Sequence, residues 1–111
     1  MTDIEYELAN IEHAVRHKCV KLFLDLIVLS SLRSREMSGY DVMIAVYDKF
    51  RVLLSPGTIY PVLDTLRQKE LIEVKLTRRK KIYTLTDKGV SYTSLLSEEY
   101  GKFYSQIMYM H

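Results

Sequence analysis

Apolar residues recur at Ile4, Leu8, Ile11 and Val15 at intervals of 4, 3 and 4, the spacing that aligns side chains along one stripe of an α-helix. A helix over residues 3 to about 16 is predicted, with a narrow seam that calls for a partner helix. Residues 18–33 predict a second helix, apolar on nearly all sides through Leu22, Phe23, Leu26, Ile27 and Leu29, and such a segment belongs at the centre of a fold. Ser38 followed three positions on by Asp41 has the form of a capping box, so a third helix is expected from Gly39 to about Lys49. Ser55 and Pro56 open a fourth, because proline at the first helical position gives up an amide that would have had no partner. Within it Ile59, Val62, Leu63 and Leu66 form the buried stripe.

From Leu71 the period changes to two. Ile72, Val74 and Leu76 alternate with Glu73 and Lys75, and Tyr83 and Leu85 alternate with Thr84 and Thr86, which predicts two strands. Between them lies TRRKK, the tip of a β-hairpin. Thr86 then caps a last helix running to the end of the sequence. In it Leu96, Tyr100, Phe103, Ile107 and Met110 are spaced 4, 3, 4 and 3, a heptad seam suited to a second helix.

The side of the fourth helix that faces away from its core stripe is the informative one. At about 100° per residue it presents Gly57, Tyr60, Pro61, Asp64 and Gln68, with Thr58, Thr65 and Arg67 on the flanks. Pro61 therefore points outward, where its ring and missing amide are expected to distort the first turns, and Gly57 leaves room for another surface to come close. A helix N-terminus with free amides and little side-chain bulk suits a phosphate. Helices followed by a hairpin with a basic tip form the order of a winged helix-turn-helix, in which one helix enters the major groove and the hairpin touches a flanking groove or phosphates. The fold expected is mainly α with a small β-hairpin: residues 18–86 as a winged-helix core, 1–17 as an added N-terminal helix and 87–111 as a long C-terminal dimerisation helix, all in one domain.

Composition narrows this further. The chain has 111 residues, 48% hydrophobic and 27% charged, enough for one modest core. The run from Leu22 to Leu29 is broken by Asp25 and falls short of the roughly 20 apolar residues needed to span a bilayer. The acidic N-terminus lacks the pattern of a signal peptide, and Cys19, the single cysteine, fits a reducing interior. A cytoplasmic, nucleoid-associated protein is expected. The net charge of +2 hides an uneven distribution, because Arg78, Arg79, Lys80 and Lys81 stand side by side. Clustered cations after a recognition-type helix are the footprint of nucleic-acid binding, although a solvated turn has the same composition.

The segments SGYDV (38–42), SPGTIYPVLDTL (55–66), ELI (70–72) and RRKKIYTLTDKG (78–89) resemble the PadR-like transcriptional regulators in order and spacing. That resemblance implies a homodimeric repressor, dimerised by its C-terminal helix, whose helix from Ser55 reads operator DNA. It also makes Pro61 a family feature of that helix. The sequence departs from the family where Asp64 and Thr65 replace basic residues, and where Glu70 stands in place of a glycine. Base preference therefore does not transfer, and Asp64 is either a reader of cytosine N4 or a charge that avoids wrong sites.

The candidate DNA contacts are Tyr40, Lys49, Arg51, Ser55, Gly57, Thr58, Tyr60, Pro61, Asp64, Arg67, Gln68, Arg78, Arg79, Lys80 and Lys81, for each of which ordinary packing or solvation is the rival. The candidate dimer residues are Ile4, Leu8, Ile11, Leu96, Tyr100, Phe103, Ile107 and Met110. The tyrosines and methionines of the last helix could also line a site for a small apolar or aromatic effector, although packing between subunits is the commoner use of such residues. His13 and His17 share a helix face, but with Cys19 they make a weak ligand set, and no metal or other cofactor is expected. No nucleophile, base and orienting group stand together, so an enzyme is not expected. Two rivals remain: a winged helix used only for protein contacts, and a sequence-tolerant architectural DNA-binding protein.

Overall fold

The computed structural model describes residues 2–110. Helix α1, Asp3–Leu22, starts at a capping box in which the Thr2 hydroxyl accepts the Glu5 amide and the Glu5 carboxylate accepts the Thr2 amide, both at 3.1 Å. The break expected near residue 17 is absent. HKCVK contains no proline, glycine or capping residue, so nothing stops the helix there. The chain bends instead at Phe23, and helix α2 follows as Leu24–Ser34. Leu22 thus changes place: it belongs to α1, lies 64% exposed and extends the seam of Ile4, Leu8, Ile11 and Val15. Phe23 turns inward and meets the Tyr100 ring edge-on at 4.9 Å.

A two-residue strand β1, Met37–Ser38, precedes helix α3, Gly39–Phe50, where Ser38 and Asp41 form the expected reciprocal cap at 3.0 Å each. These bonds to Ser38, first through its backbone amide, hold the Asp41 carboxyl below its ordinary pKa, with help from Arg35 and Lys80 and against partial burial. Helix α4 is Pro56–Gln68, strands β2 and β3 are Ile72–Thr77 and Lys80–Leu85, and helix α5 is Asp87–Met108. The strands form an antiparallel sheet in the order β1-β3-β2. β1 was not anticipated, since two residues carry no period. Thr86 caps α5 by accepting the Gly89 amide at 2.9 Å. The last helix ends at Met108, before the expected limit at His111, which lies outside the described residues.

Val28, Leu29, Val42, Val46, Val52, Ile59 and Leu63 are fully buried, so α2, α3 and α4 close on one core with Ile72 and Tyr83 from the sheet. Two arms extend from it. Nearly all of α1 before Val20 and all of residues 101–110 are exposed. The radius of gyration is 16.1 Å, against roughly 13 Å for a compact chain of this length.

Candidate nucleic-acid interface

Helix α4 buries Ile59, Leu63 and Leu66 and half-buries Val62. Its opposite side, carrying Gly57, Pro61, Asp64 and Gln68, is bare, with Thr58 half-buried and Arg67 exposed. The helix passes through Pro61 without interruption, contrary to the distortion expected. The proline removes only the bond that an amide there would make to the Gly57 carbonyl. Thr58 and Ile59 donate to the Ser55 carbonyl at 3.0 and 3.1 Å, so the first turn is well formed. Ser55 makes no side-chain cap; its hydroxyl lies 3.2 Å from that of Thr58. A β-carbon placed on Gly57 would meet nothing closer than the Ser55 hydroxyl, at 3.8 Å. The fold therefore has no need of a glycine there.

Tyr60 leaves the outer face and covers the start of α3: a β-carbon on Gly39 would lie 2.7 Å from its ring. The residue is still 37% exposed. On the same flank Tyr83 of β3 sits near Tyr60, Asp64 and Arg67; burial first, then its neighbours Tyr60 and Asp64, push its phenol pKa up. The hairpin thus rises beside α4. Val74 pairs with Tyr83 and Leu76 with Lys81, so these residues point to the α4 side of the hairpin. They do not continue the core. Val74 and Leu76 are 37% and 73% exposed, because the hairpin leaves the body of the protein after Ile72.

The four cations of the tip are exposed, and among the described residues they form no ion pair. Lys75, lower on the shaft, pairs with Glu36 at 2.9 Å. Tyr40 is 65% exposed in the first turn of α3 and walls an apolar groove of about 540 Å³ with Met43, Ile44, Tyr47 and Leu53. Lys49 and Arg51 are exposed; the Arg51 guanidinium lies over the Tyr47 ring at 5.4 Å.

The other candidates lie on the arms. Ile4, Leu8 and Ile11 are more than half exposed. Leu96 packs on the chain's own core and Tyr100 bonds Asp25, so the free part of the last seam begins at Phe103 and Ile107, with Met110 exposed beyond the helix end. His17 bonds the His13 carbonyl at 3.0 Å through Nδ1, and the two rings lie 4.2 Å apart. Among the described residues no three metal-ligating side chains come together, and no helix is long and apolar enough to cross a membrane.

The model of the transcriptional regulator PadR-like family matches residues 28–94, from the middle of α2 into α5. The chain belongs to this family. A transcriptional regulator from Clostridium thermocellum superposes with a TM-score of 0.75 at 21% identity, over 81% of this chain and 91% of that one. A PadR-like regulator from Bacillus cereus does so with 0.73 at 23% identity, over 84% and 95%. Both are similar in fold. The transcriptional activator GvpE1 of Halobacterium salinarum is 29% identical over 84 residues. The match covers 75% of this chain but 44% of that relative, so this chain spans less than half of its length. As a PadR-like protein, the chain belongs to a family of transcriptional regulators and carries a winged-helix frame.

Proposed function

We propose that this PadR-like protein works as a homodimer that recognises a pseudo-palindromic promoter site by sequence and represses by occupying it. One observation carries this: α4 leaves Gly57, Pro61, Asp64 and Gln68 bare on the side away from the core, beside a hairpin whose four cations have no partner among the described residues. On such a surface Gly57 lets the helix backbone approach phosphate. Thr58, Arg67 and Gln68 reach base edges or phosphates, Asp64 accepts from cytosine N4 or repels wrong sites, and the Ser55, Tyr60 and Pro61 surface lies along the groove wall. Tyr40, Lys49 and Arg51 meet the strand beside it, while Arg78, Arg79, Lys80 and Lys81 neutralise flanking phosphates.

The bare apolar faces of both arms support the dimer. Two copies joined through Ile4, Leu8 and Ile11 and through the α5 seam set two recognition helices on successive groove faces, with half-sites one or two turns of roughly 34 Å apart. The exposed Tyr104, Ile107 and Met108 add a surface where a small apolar or aromatic effector would act. Such a protein works on the nucleoid, in the cytoplasm.

Gel shifts with genomic fragments at two salt concentrations test the assignment. Sequence-dependent retardation is expected, together with a shallower salt dependence when Arg78 and Arg79 are replaced by alanine. An unchanged salt slope would remove the hairpin from the interface, and no retardation at either salt would leave a protein-contact module. Transcription from a promoter carrying the selected site should fall on addition of the protein; a rise would reverse the sign of control.

A further inference from the structure

Helix α1 runs unbroken through residue 17, and that continuity brings two histidines together. His13 and His17 are four positions apart, so they project from adjacent turns on one face. Their rings lie 4.2 Å apart, tilted by 42°. His13 is exposed and His17 half-buried. The His17 Nδ1 stands 3.0 Å from the His13 carbonyl oxygen, and because a carbonyl only accepts, Nδ1 carries the proton. In the neutral ring this leaves the Nε2 lone pair free, directed away from the backbone.

That bond prepares an imidazole for a metal ion. A metal-bound histidine almost always donates its other ring nitrogen to a carboxylate, a backbone carbonyl or water, which fixes the tautomer and the ring orientation. The His13 carbonyl takes that place here. An ion about 2.0–2.1 Å from one nitrogen of each ring needs the two nitrogens about 3 Å apart, and the exposed His13 ring reaches this by turning about its soft χ2. Cys19, the third ligand offered by the sequence, stands two positions past His17 and so projects from the far side of the helix. Ile4, Leu8, Ile11 and Val15 also lie across the helix from the histidines, so a partner on that seam would leave the pair in solvent. Among the described residues no three ligating side chains meet. A closed four-ligand zinc site therefore does not fit, whereas two adjacent imidazoles with water in the other positions suit a tetragonal ion.

We propose that His13 and His17 chelate a divalent transition-metal ion, Cu2+ most tightly, at an open two-nitrogen site on the side of α1 away from its apolar seam. The ion joins two turns of an arm that is otherwise exposed up to Val20. Affinity of such a nitrogen site rises through Co2+ and Ni2+ to Cu2+ and falls again at Zn2+, while Mg2+ prefers oxygen ligands. The site uses neither α4 nor the hairpin, so it stands or falls independently of DNA binding.

Isothermal titration of the full chain near neutral pH with the chlorides of Cu2+, Ni2+, Zn2+ and Mg2+ tests this. Cu2+ should bind most tightly, Ni2+ and Zn2+ more weakly, and Mg2+ not at all. His13→Gln and His17→Gln should each weaken Cu2+ binding at least about tenfold, since losing a ligand costs no less than losing a ligand's hydrogen-bond partner. Glu12→His combined with His13→Gln keeps the number of histidines but sets them five apart, off a common face, and should bind as weakly as His13→Gln alone. Cys19→Ser and His111→Gln should leave the affinity unchanged. Electron paramagnetic resonance should show two imidazole nitrogens on copper in the wild type and one in His13→Gln, with circular dichroism confirming that each variant keeps its helices. Copper held by one nitrogen in the wild type, full affinity in either glutamine variant or in the five-apart pair, or binding lost with Cys19→Ser or His111→Gln would each overturn the site.

Discussion

Tyr100 donates its hydroxyl to Asp25 across 75 positions of sequence, 3.0 Å from each carboxylate oxygen. The contact fastens the middle of α5 to the first turn of α2, just past the bend at Phe23. It therefore fixes how the C-terminal arm leaves the core. Burial first, then the hydrogen bond and the charge of Asp25, push the Tyr100 phenol up to about 12 from an ordinary 10.

A phenol whose pKa is raised in the folded state holds its proton there more tightly than in the unfolded chain. Its contribution is complete below pH 10, declines as pH rises, and is gone above about 12. Tyr100→Phe should lower stability by about 1 kcal/mol at neutral pH. It should also flatten the alkaline part of the stability profile, read from urea midpoints at pH 8 to 12. Equal alkaline slopes in the two proteins would show that another group titrates there.

The end of α4 makes a second contact whose chemistry runs against its residue. The Leu71 amide bonds the Leu66 carbonyl and the Glu70 amide that of Arg67, a Schellman closure that needs a left-handed residue at its first position past the cap. Glu70 takes that position with φ of 62°. Glu70→Gly should relieve the strain and raise stability by about 1 kcal/mol. The next glycine in the chain works the other way. A β-carbon on Gly89 would fall 2.0 Å from the Leu71 carbonyl oxygen, so Gly89→Ala should lower the melting temperature by several degrees or prevent folding. Thermal denaturation of the two variants checks both signs.

Local chemistry was legible in the sequence and distant chemistry was not. The Ser38 and Asp41 cap, the start of α4 and its bare face follow from residues within one or two turns of each other. The bend at Phe23 has no proline or glycine to mark it, and the α1 seam merges there with the core pattern of α2. β1 exists only because Met37 and Ser38 lie beside Tyr83 and Ile82. The alternation of Val74 and Leu76 was read correctly as a strand but not as an exposed one, because period says which way side chains point and not what they meet. The Asp25 and Tyr100 bond has no trace in local pattern. Nor has the left-handed turn at the tip, where Arg78 and Arg79 have φ of 49° and 66°, since arginine is not a turn residue.

Gly57 separates packing from recognition. Its added β-carbon meets open space, so Gly57→Ala should leave the melting temperature within about 2 °C, or gain slightly from helix propensity. Binding to a selected duplex should fall about tenfold, the effect of one methyl forced into a close contact. Gly39→Ala is the control, because its β-carbon would displace the Tyr60 ring and stability should fall with binding. Equal affinity of Gly57→Ala and wild type would place the DNA elsewhere on the protein.

The two arms make a paired prediction. Ile11 is 58% exposed and Phe103 64%, and neither supports the core of its own chain. Ile11→Asp and Phe103→Asp should each leave the circular dichroism of the winged helix intact. If two copies meet on these faces, sedimentation should show the variants as monomers at concentrations where wild type is a dimer. Their binding should then fall steeply on a two-half-site duplex and little on a single half-site. A variant that remains dimeric would free its face of that role.

The hairpin tip should trade stability against binding. Left-handed backbone at two arginines costs about 1–2 kcal/mol per residue, which Arg78→Asn with Arg79→Gly would largely recover, since that pair suits a two-residue turn with positive φ at both positions. The same change removes two of the four tip cations. Its melting temperature should rise by several degrees while affinity for duplex falls and the salt slope becomes shallower by up to about two ions. Most substitutions that weaken binding also weaken the fold or leave it alone. Opposite movement in one variant would identify the strain as something the fold carries for the sake of the contact. A variant less stable than wild type would mean that the arginines support the hairpin, and that the left-handed turn has no bearing on DNA.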